Sequence, residues 1–203
     1  MTDFWLAHIA FGLLAFLLLA RFGTGMRLQS AKLLLCLLLS LVPLQGMSLA
    51  LQLRTYMGDL SISSLVLLSW VAFSRFGLPA LATQGRLLGL GLFAALAMLL
   101  YPAALGLSYS DPYQLGFEPR SMLLVIGLLC VILIVLRSWF SALALVLATL
   151  AFALRLNASE NYWDYLIDPY LALYSLGALV AAGLRWLQAR RRRPLLVDAR
   201  SRA

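Results

Sequence analysis

The sequence predicts an all-α integral membrane protein, a bundle of seven transmembrane helices with the N-terminus out and the C-terminus in. Three observations predict it. Hydrophobic residues make up 63% of the chain and charged residues only 12%, against about 45–50% and about 25% in soluble domains. The apolar residues come in blocks of roughly 15–21, near the ~20 that cross a ~30 Å hydrocarbon layer. The gaps between blocks alternate in chemistry. Thirteen of sixteen Lys/Arg fall in one set or at the span ends beside it, and seven of eight carboxylates and all eight tyrosines fall in or beside the other. Lys and Arg mark the cytoplasmic side of a membrane protein, so the acidic, tyrosine-bearing gaps face outward.

The first span is 4–20. It has no basic residue before it, and Arg21 and Arg27 come after it. That charge order predicts an anchor with an external N-terminus rather than a cleaved signal peptide. The second span, 33–53, starts after Lys32 and carries Gln45, Ser48 and Gln52 at three- and four-residue spacing near its outer end. On a helix these share one face, and Pro43 and Gly46 bend or loosen it there. Arg54 and Asp59 follow, and span three, 60–74, opens with Ser61 and Ser64 on one face. Span four is 87–106, span five 121–136 and span six 139–154, the last two joined by a tight inner turn at Arg137-Ser138. Span seven, 169–187, is followed by a basic cytoplasmic tail, 188–203. Together 1–187 form a single transmembrane domain. Small residues four apart, at Gly91/Ala95, Ala144/Ala148 and Gly177/Ala181, are candidates for close helix contacts. Tryptophans at the block ends (Trp5 and Trp163 outside, Trp70, Trp139 and Trp186 inside) fit an interfacial belt.

Two outer connections carry local signals. Asp111-Pro112-Tyr113 and Asp168-Pro169-Tyr170 both read as helix starts, with Asp at the N-cap and Pro in the first turn. Asp111 starts a brief turn or interfacial helix ended by Gly116, and Asp168 caps span seven. In 155–168, Asn157 and Glu160 have capping-box spacing, and 161–167 reads as a short helix on the membrane surface.

Several chemistries find no support in the residues. The spans hold almost no ionisable groups, which argues against ion-coupled transport or proton pumping. The single His8 excludes bis-histidine haem, and the single Lys32 lies at an inner end, where no span-seven Schiff base forms. No phosphate-binding loop, nucleophile elbow or zinc-protease motif is present. Cys36 and Cys130 lie among leucines and valines and read as buried structural thiols. The net charge of +8 comes largely from the tail and from span ends, so it predicts no nucleic-acid binding. No metal, cofactor or catalytic residue is expected.

Three candidate regions remain. His8, Gln45, Ser48, Gln52, Arg54 and Asp59 are candidates for an outward-facing cavity, or for interhelical hydrogen-bonding glue. Asp111, Tyr113, Glu118, Glu160, Tyr162, Trp163, Asp164, Tyr165 and Asp168 form a candidate acidic and aromatic outer surface. Glu160, Asp164 and Asp168 make one stripe if the helix is continuous. Arg190, Arg191, Arg192 and Arg193 are placed to contact anionic lipid headgroups. The leading expectation is a bacterial inner-membrane protein serving as a non-catalytic subunit or scaffold of a cell-envelope complex, with a membrane or periplasmic protein partner. The alternative is a membrane-embedded enzyme or carrier acting on a lipid-linked substrate in an outward-facing cavity.

Overall fold

The computed structural model describes residues 4–20, 25–79, 81–107, 109 and 111–201, of which 191–201 as backbone only. Asp3, Arg21 and Arg202, and the side chains of Arg191, Arg192, Arg193, Asp198 and Arg200, lie outside the described residues. The protein is all-helical apart from one tiny hairpin. Its α-helices are α1 (Trp5–Leu19), α2 (Met26–Leu39), α3 (Leu49–Met57), α4 (Ile62–Ser74), α5 (Thr83–Ala104), α6 (Pro119–Val135), α7 (Trp139–Ala153), α8 (Trp163–Leu166) and α9 (Pro169–Ser201). A 3-10 helix occupies Pro112–Phe117.

Seven of these helices (α1, α2, α4, α5, α6, α7 and α9) run between two chemically different ends and alternate in direction. At the acidic end Phe4 lies against Arg54 and Ser61 meets Asp168. At the basic end Phe16 stacks on Phe76, and the Ser138 hydroxyl donates to the Gly85 carbonyl. Two, Thr83–Ala104 and Pro169–Arg190, are long and apolar enough to cross a membrane. Trp5–Leu19, Ile62–Ser74, Pro119–Val135 and Trp139–Ala153 are apolar but shorter, roughly 20–26 Å at 1.5 Å per residue.

The expected second span does not exist as one helix. Pro43 lacks the N–H a helix needs and biases Val42 toward extended backbone. Gln45 and Gly46 both take positive φ, 53° and 86°, which builds a two-residue turn of the kind that closes hairpins. Strands β1 (Pro43–Leu44) and β2 (Met47–Ser48) therefore pair antiparallel, Pro43 opposite Ser48. The chain re-enters helix at α3, capped by the Ser48 hydroxyl, which accepts from Leu51 N–H at 3.4 Å. Gln52 donates back to the Leu44 carbonyl.

The core is continuous through α4, α5 and α7, with Leu65, Phe93, Leu145 and Ala148 buried. A second cluster, Phe16, Cys36 and Ala72, fixes α1 and α2 beside α4. Of the three small-residue pairs, only Ala144/Ala148 is fully buried; Ala95 and Gly177 are exposed. Close approaches fall also at Gly12 and Gly89, where a Cβ would sit 2.4 Å from Leu37 Cδ2 and 2.6 Å from Ser141 Oγ. α6 buries only Met122, Ile126 and Leu133, one helical face. Leu129 packs at the edge of the core, and the remaining leucines and valines of α6, such as Leu124 and Val131, point outward. Trp5 and Trp139 lie exposed at helix starts and Trp186 lies exposed in the middle of α9, whereas Trp70 is half-buried and Trp163 is buried.

Candidate functional site

The acidic end is built around the connection 155–168, which folds inward rather than lying flat. Its aromatic residues form an interior joint. Tyr162 stacks on Phe152 with ring centroids 4.6 Å apart and pairs its hydroxyl with Thr149. Tyr165 meets Phe152 edge-on, and its hydroxyl donates to the Asn157 and Ser159 carbonyls at 2.9 and 3.1 Å. Trp163 sends its indole N–H to the Pro112 carbonyl at 2.9 Å. Asn161 donates to the Tyr113 carbonyl at 2.9 Å and accepts from Trp163 N–H at 2.9 Å. These bonds press the connection onto the 3-10 helix at Gly116, whose carbonyl accepts from Tyr162 N–H. A Cβ on Gly116 would lie 1.9 Å from Asn161 Oδ1 and 2.7 Å from Trp163 Cδ1, so any other residue must displace those two side chains.

Tyr162, Trp163, Tyr165 and Asp168 are therefore not part of a presented surface; all four are buried. The physical reason is that α8 is a single turn, too short to present one face outward. The expected Asn157/Glu160 capping box is absent, because the Asn157 side chain accepts from its neighbour Ala158. Nor do Glu160, Asp164 and Asp168 form a stripe: Glu160 is exposed, Asp164 half-buried and Asp168 buried. Asp111 does start the 3-10 helix as expected, accepting from Tyr113 N–H at 3.1 Å. Asp111 and Glu118 are exposed.

Beside this joint lies a cleft of about 360 Å³ lined by Asp59, Tyr101, Tyr113, Asn157, Ser159, Asp164 and Asp168. No Lys or Arg lines it. Its three carboxylates are each held by donors of the protein. Asp164 accepts from the Tyr113 hydroxyl at 3.1 Å and from the Ser159 hydroxyl. Asp168 Oδ2 accepts from both N–H and hydroxyl of Ser61 at 2.8 Å, while its Oδ1 accepts from Leu171 N–H at 2.9 Å. Asp168 thus caps α9, as the Asp-Pro pair predicts, and also clamps the start of α4. Asp59 takes a two-pronged bond from Arg54, whose Nη2 lies 2.6 Å from Oδ2. Arg54 in turn covers the Phe4 ring at 4.7 Å, and the bond to Asp59 raises its pKa further. Burial, then the nearby charge of Asp164 and the bond to it, push Tyr113 up to about 12. Burial also pushes Tyr162 and Tyr165 above the usual phenol value.

The six residues expected to share an outward cavity do not converge. Arg54 and Asp59 line a cavity of only about 20 Å³ between α1 and α3, without His8, Gln45, Ser48 or Gln52. His8 Nδ1 instead pairs with Ser40 Oγ at 3.0 Å, joining α1 to the end of α2. Gln45, Ser48 and Gln52 serve the hairpin and the start of α3. The broken helix is the cause, since it separates residues that an unbroken one aligns. Of the tail, Arg190 covers the Trp186 ring at 5.2 Å. The residues not anticipated from sequence are Asn161, Ser159, Tyr101 and Ser61 as the partner of Asp168. Only the density of polar and aromatic residues around 157–165 hinted at the joint. Among the described residues no group of three or more His, Cys, Asp or Glu is placed to hold a metal ion. No protein-family profile matches the chain, and neither curated proteins nor solved structures give a match.

Proposed function

We propose that this chain is a seven-span protein of a bacterial cytoplasmic membrane, N-terminus out, that serves as a non-catalytic subunit or scaffold of a cell-envelope complex. The outward apolar faces, α6 above all, support the membrane: water-soluble proteins rarely leave such area open. The short helices fit by local thinning of the bilayer, with Trp5, Trp139 and Trp186 at the interfaces. The observation that carries the non-catalytic reading is the state of the three cleft carboxylates. A general acid or base needs a carboxyl group free to meet substrate, and Asp59, Asp164 and Asp168 are each committed to holding chain segments together. What remains for a partner is the rim: Asp111, Glu118, Glu160, Tyr56, Tyr109 and Phe117 are exposed.

Purification from native membranes in mild detergent tests this reading. The expected result is a protein partner in fixed stoichiometry, lost when Tyr109→Arg and Glu160→Arg are combined and retained in Asp164→Asn. An isolated monomer carrying a lipid-linked sugar in the 360 Å³ cleft refutes it and favours the membrane-embedded enzyme or carrier.

A further inference from the structure

α4 and α9 do not pack tightly along their length. Two adjoining pockets lie between them, of about 360 and 200 Å³, the second walled also by α5 and Phe140, and they share Leu67, Val71, Leu171 and Tyr174 as walls. They form one groove. At the acidic end it begins between Met57, Leu60 and Tyr170; at the basic end it finishes at Ser74, Gly85 and Arg86. Its walls are overwhelmingly apolar, and Val71, Tyr170 and Tyr174 are open to the outside, so the groove is accessible from the side of the bundle.

The basic end of the groove has an unbalanced charge. Arg86 lies in the first turn of α5, where Ala82 supplies no capping side chain and no acidic residue is present. The N-terminus of a helix carries a partial positive charge, so an arginine there is disfavoured and an anion favoured. Arg86 is exposed and makes no ion pair; the one ion pair among the described residues joins Arg54 and Asp59 at the opposite end. Every described carboxylate side chain belongs to that opposite end. An apolar slot that terminates beside an uncompensated cation is complementary to a molecule with a hydrocarbon body and an anionic head.

We infer that the α4–α9 groove is a binding site for an anionic phospholipid of the leaflet at the basic end, its phosphate at Arg86 and an acyl chain between Leu67, Val71 and Leu171. This rests on the membrane reading above but not on the identity of any protein partner.

The test uses the full chain purified in mild detergent and measures retention of phosphatidylglycerol and of phosphatidylcholine with identical acyl chains by native mass spectrometry. One phosphatidylglycerol is retained preferentially. Arg86→Gln reduces that preference about fivefold, the scale of one basic side chain near an anionic headgroup. Val71→Trp, which fills the groove at a wall common to both pockets, abolishes retention of both lipids. Each variant is compared at equal helicity and monodispersity, and Leu124→Trp on the outward face of α6 serves as the control that leaves binding unchanged. Equal retention of the two lipids, an unchanged Val71→Trp variant, or equal competition by inorganic phosphate overturns the inference. A peptide or protein found in the groove also overturns it. A chain that stays soluble without detergent sinks the membrane reading instead, so the two failures are distinguishable.

Discussion

Asp168 offers the sharpest test of how the acidic end is held together. Its carboxylate is 4% exposed and accepts three hydrogen bonds, two from Ser61 at the start of α4 and one from Leu171 in the first turn of α9. The positive ends of two helix dipoles thus converge on one negative charge. Asp168→Ala removes both acceptor oxygens, and with them all three bonds, and leaves buried donors unsatisfied, at about 1–3 kcal/mol each. Relaxation and the relieved desolvation of the carboxylate offset part of this, leaving a net loss of about 3–5 kcal/mol, as for breaking a buried charged pair. For a chain of this size about 1 kcal/mol corresponds to about 2–4 °C, so the midpoint in detergent falls by roughly 6–20 °C.

Asp168→Asn keeps the shape and one acceptor oxygen and loses about 1–2 kcal/mol. Ser61→Ala loses the hydroxyl that both donates to Asp168 and caps α4 through Ser64 N–H at 3.1 Å, about 1 kcal/mol. Because the two side chains share a bond, the double variant is less destabilised than the sum of the single ones, with a coupling of about 0.5–3 kcal/mol. Thermal unfolding followed by near-ultraviolet circular dichroism reads the four variants and the parent. An Asp168→Ala midpoint within about 2 °C of the parent, or strict additivity with Ser61→Ala, refutes the clamp.

Three further outcomes follow from the same geometry. Gly116→Ala forces a methyl group to 1.9 Å from Asn161 Oδ1, so the 155–168 connection must lift; proteolysis within it rises and stability falls by about 1–3 kcal/mol, as for other overpacked sites. Tyr113 ionises at about 12 in the folded chain, against 10 for an ordinary tyrosine. Between those values the folded state holds the extra proton, so its contribution to stability is complete below pH 10 and is lost as pH rises toward 12. A phenolate absorbance titration alongside the melting curves checks this, and Tyr113→Phe flattens the decline. By contrast, Arg54→Ala changes stability by only about 0–1 kcal/mol, because the Arg54–Asp59 pair is 25% and 31% exposed; a larger loss in the melting curve shows that its contact with Phe4 matters more than its charge.

Much of the helical order is legible in the sequence, because helix starts and stops are local. Asp111-Pro112 and Asp168-Pro169 announce helices that do form, and the Arg137-Ser138 turn is present with Arg137 at φ 56°. The failures have a common cause: the outcome depended on a competing local or distant partner. Gln45-Ser48-Gln52 matches a helical face in spacing, but Pro43 and Gly46 together favour a hairpin turn over a bent helix. Tyr162, Trp163 and Tyr165 have interfacial chemistry, but Thr149, Pro112 and Phe152 draw them inward, and nothing in the local pattern identifies those partners. The Ser61–Asp168 clamp spans 107 positions, beyond any periodicity argument.

The segregation of charge along the chain also acquires a physical explanation that differs between its halves. Four of the seven long helices, α1, α4, α6 and α9, begin at the acidic end, so carboxylates there meet helix N-termini. Asp168 uses that meeting directly, and Asp111 does the same for the 3-10 helix. Asp59, Asp111, Asp164 and Asp168 are therefore consumed in holding short connections in place, while Glu118 and Glu160 stay exposed on the rim. The basic half is the reverse case. Arg86 sits at a helix N-terminus without a compensating acid, a placement that helix electrostatics alone disfavours and that the insertion proposed above, with the positive side inward, would explain. The end whose cleft carboxylates are held within the chain is suited to rigid presentation of a rim. The end with an unsatisfied charge beside an apolar groove is where a small amphipathic ligand gains most.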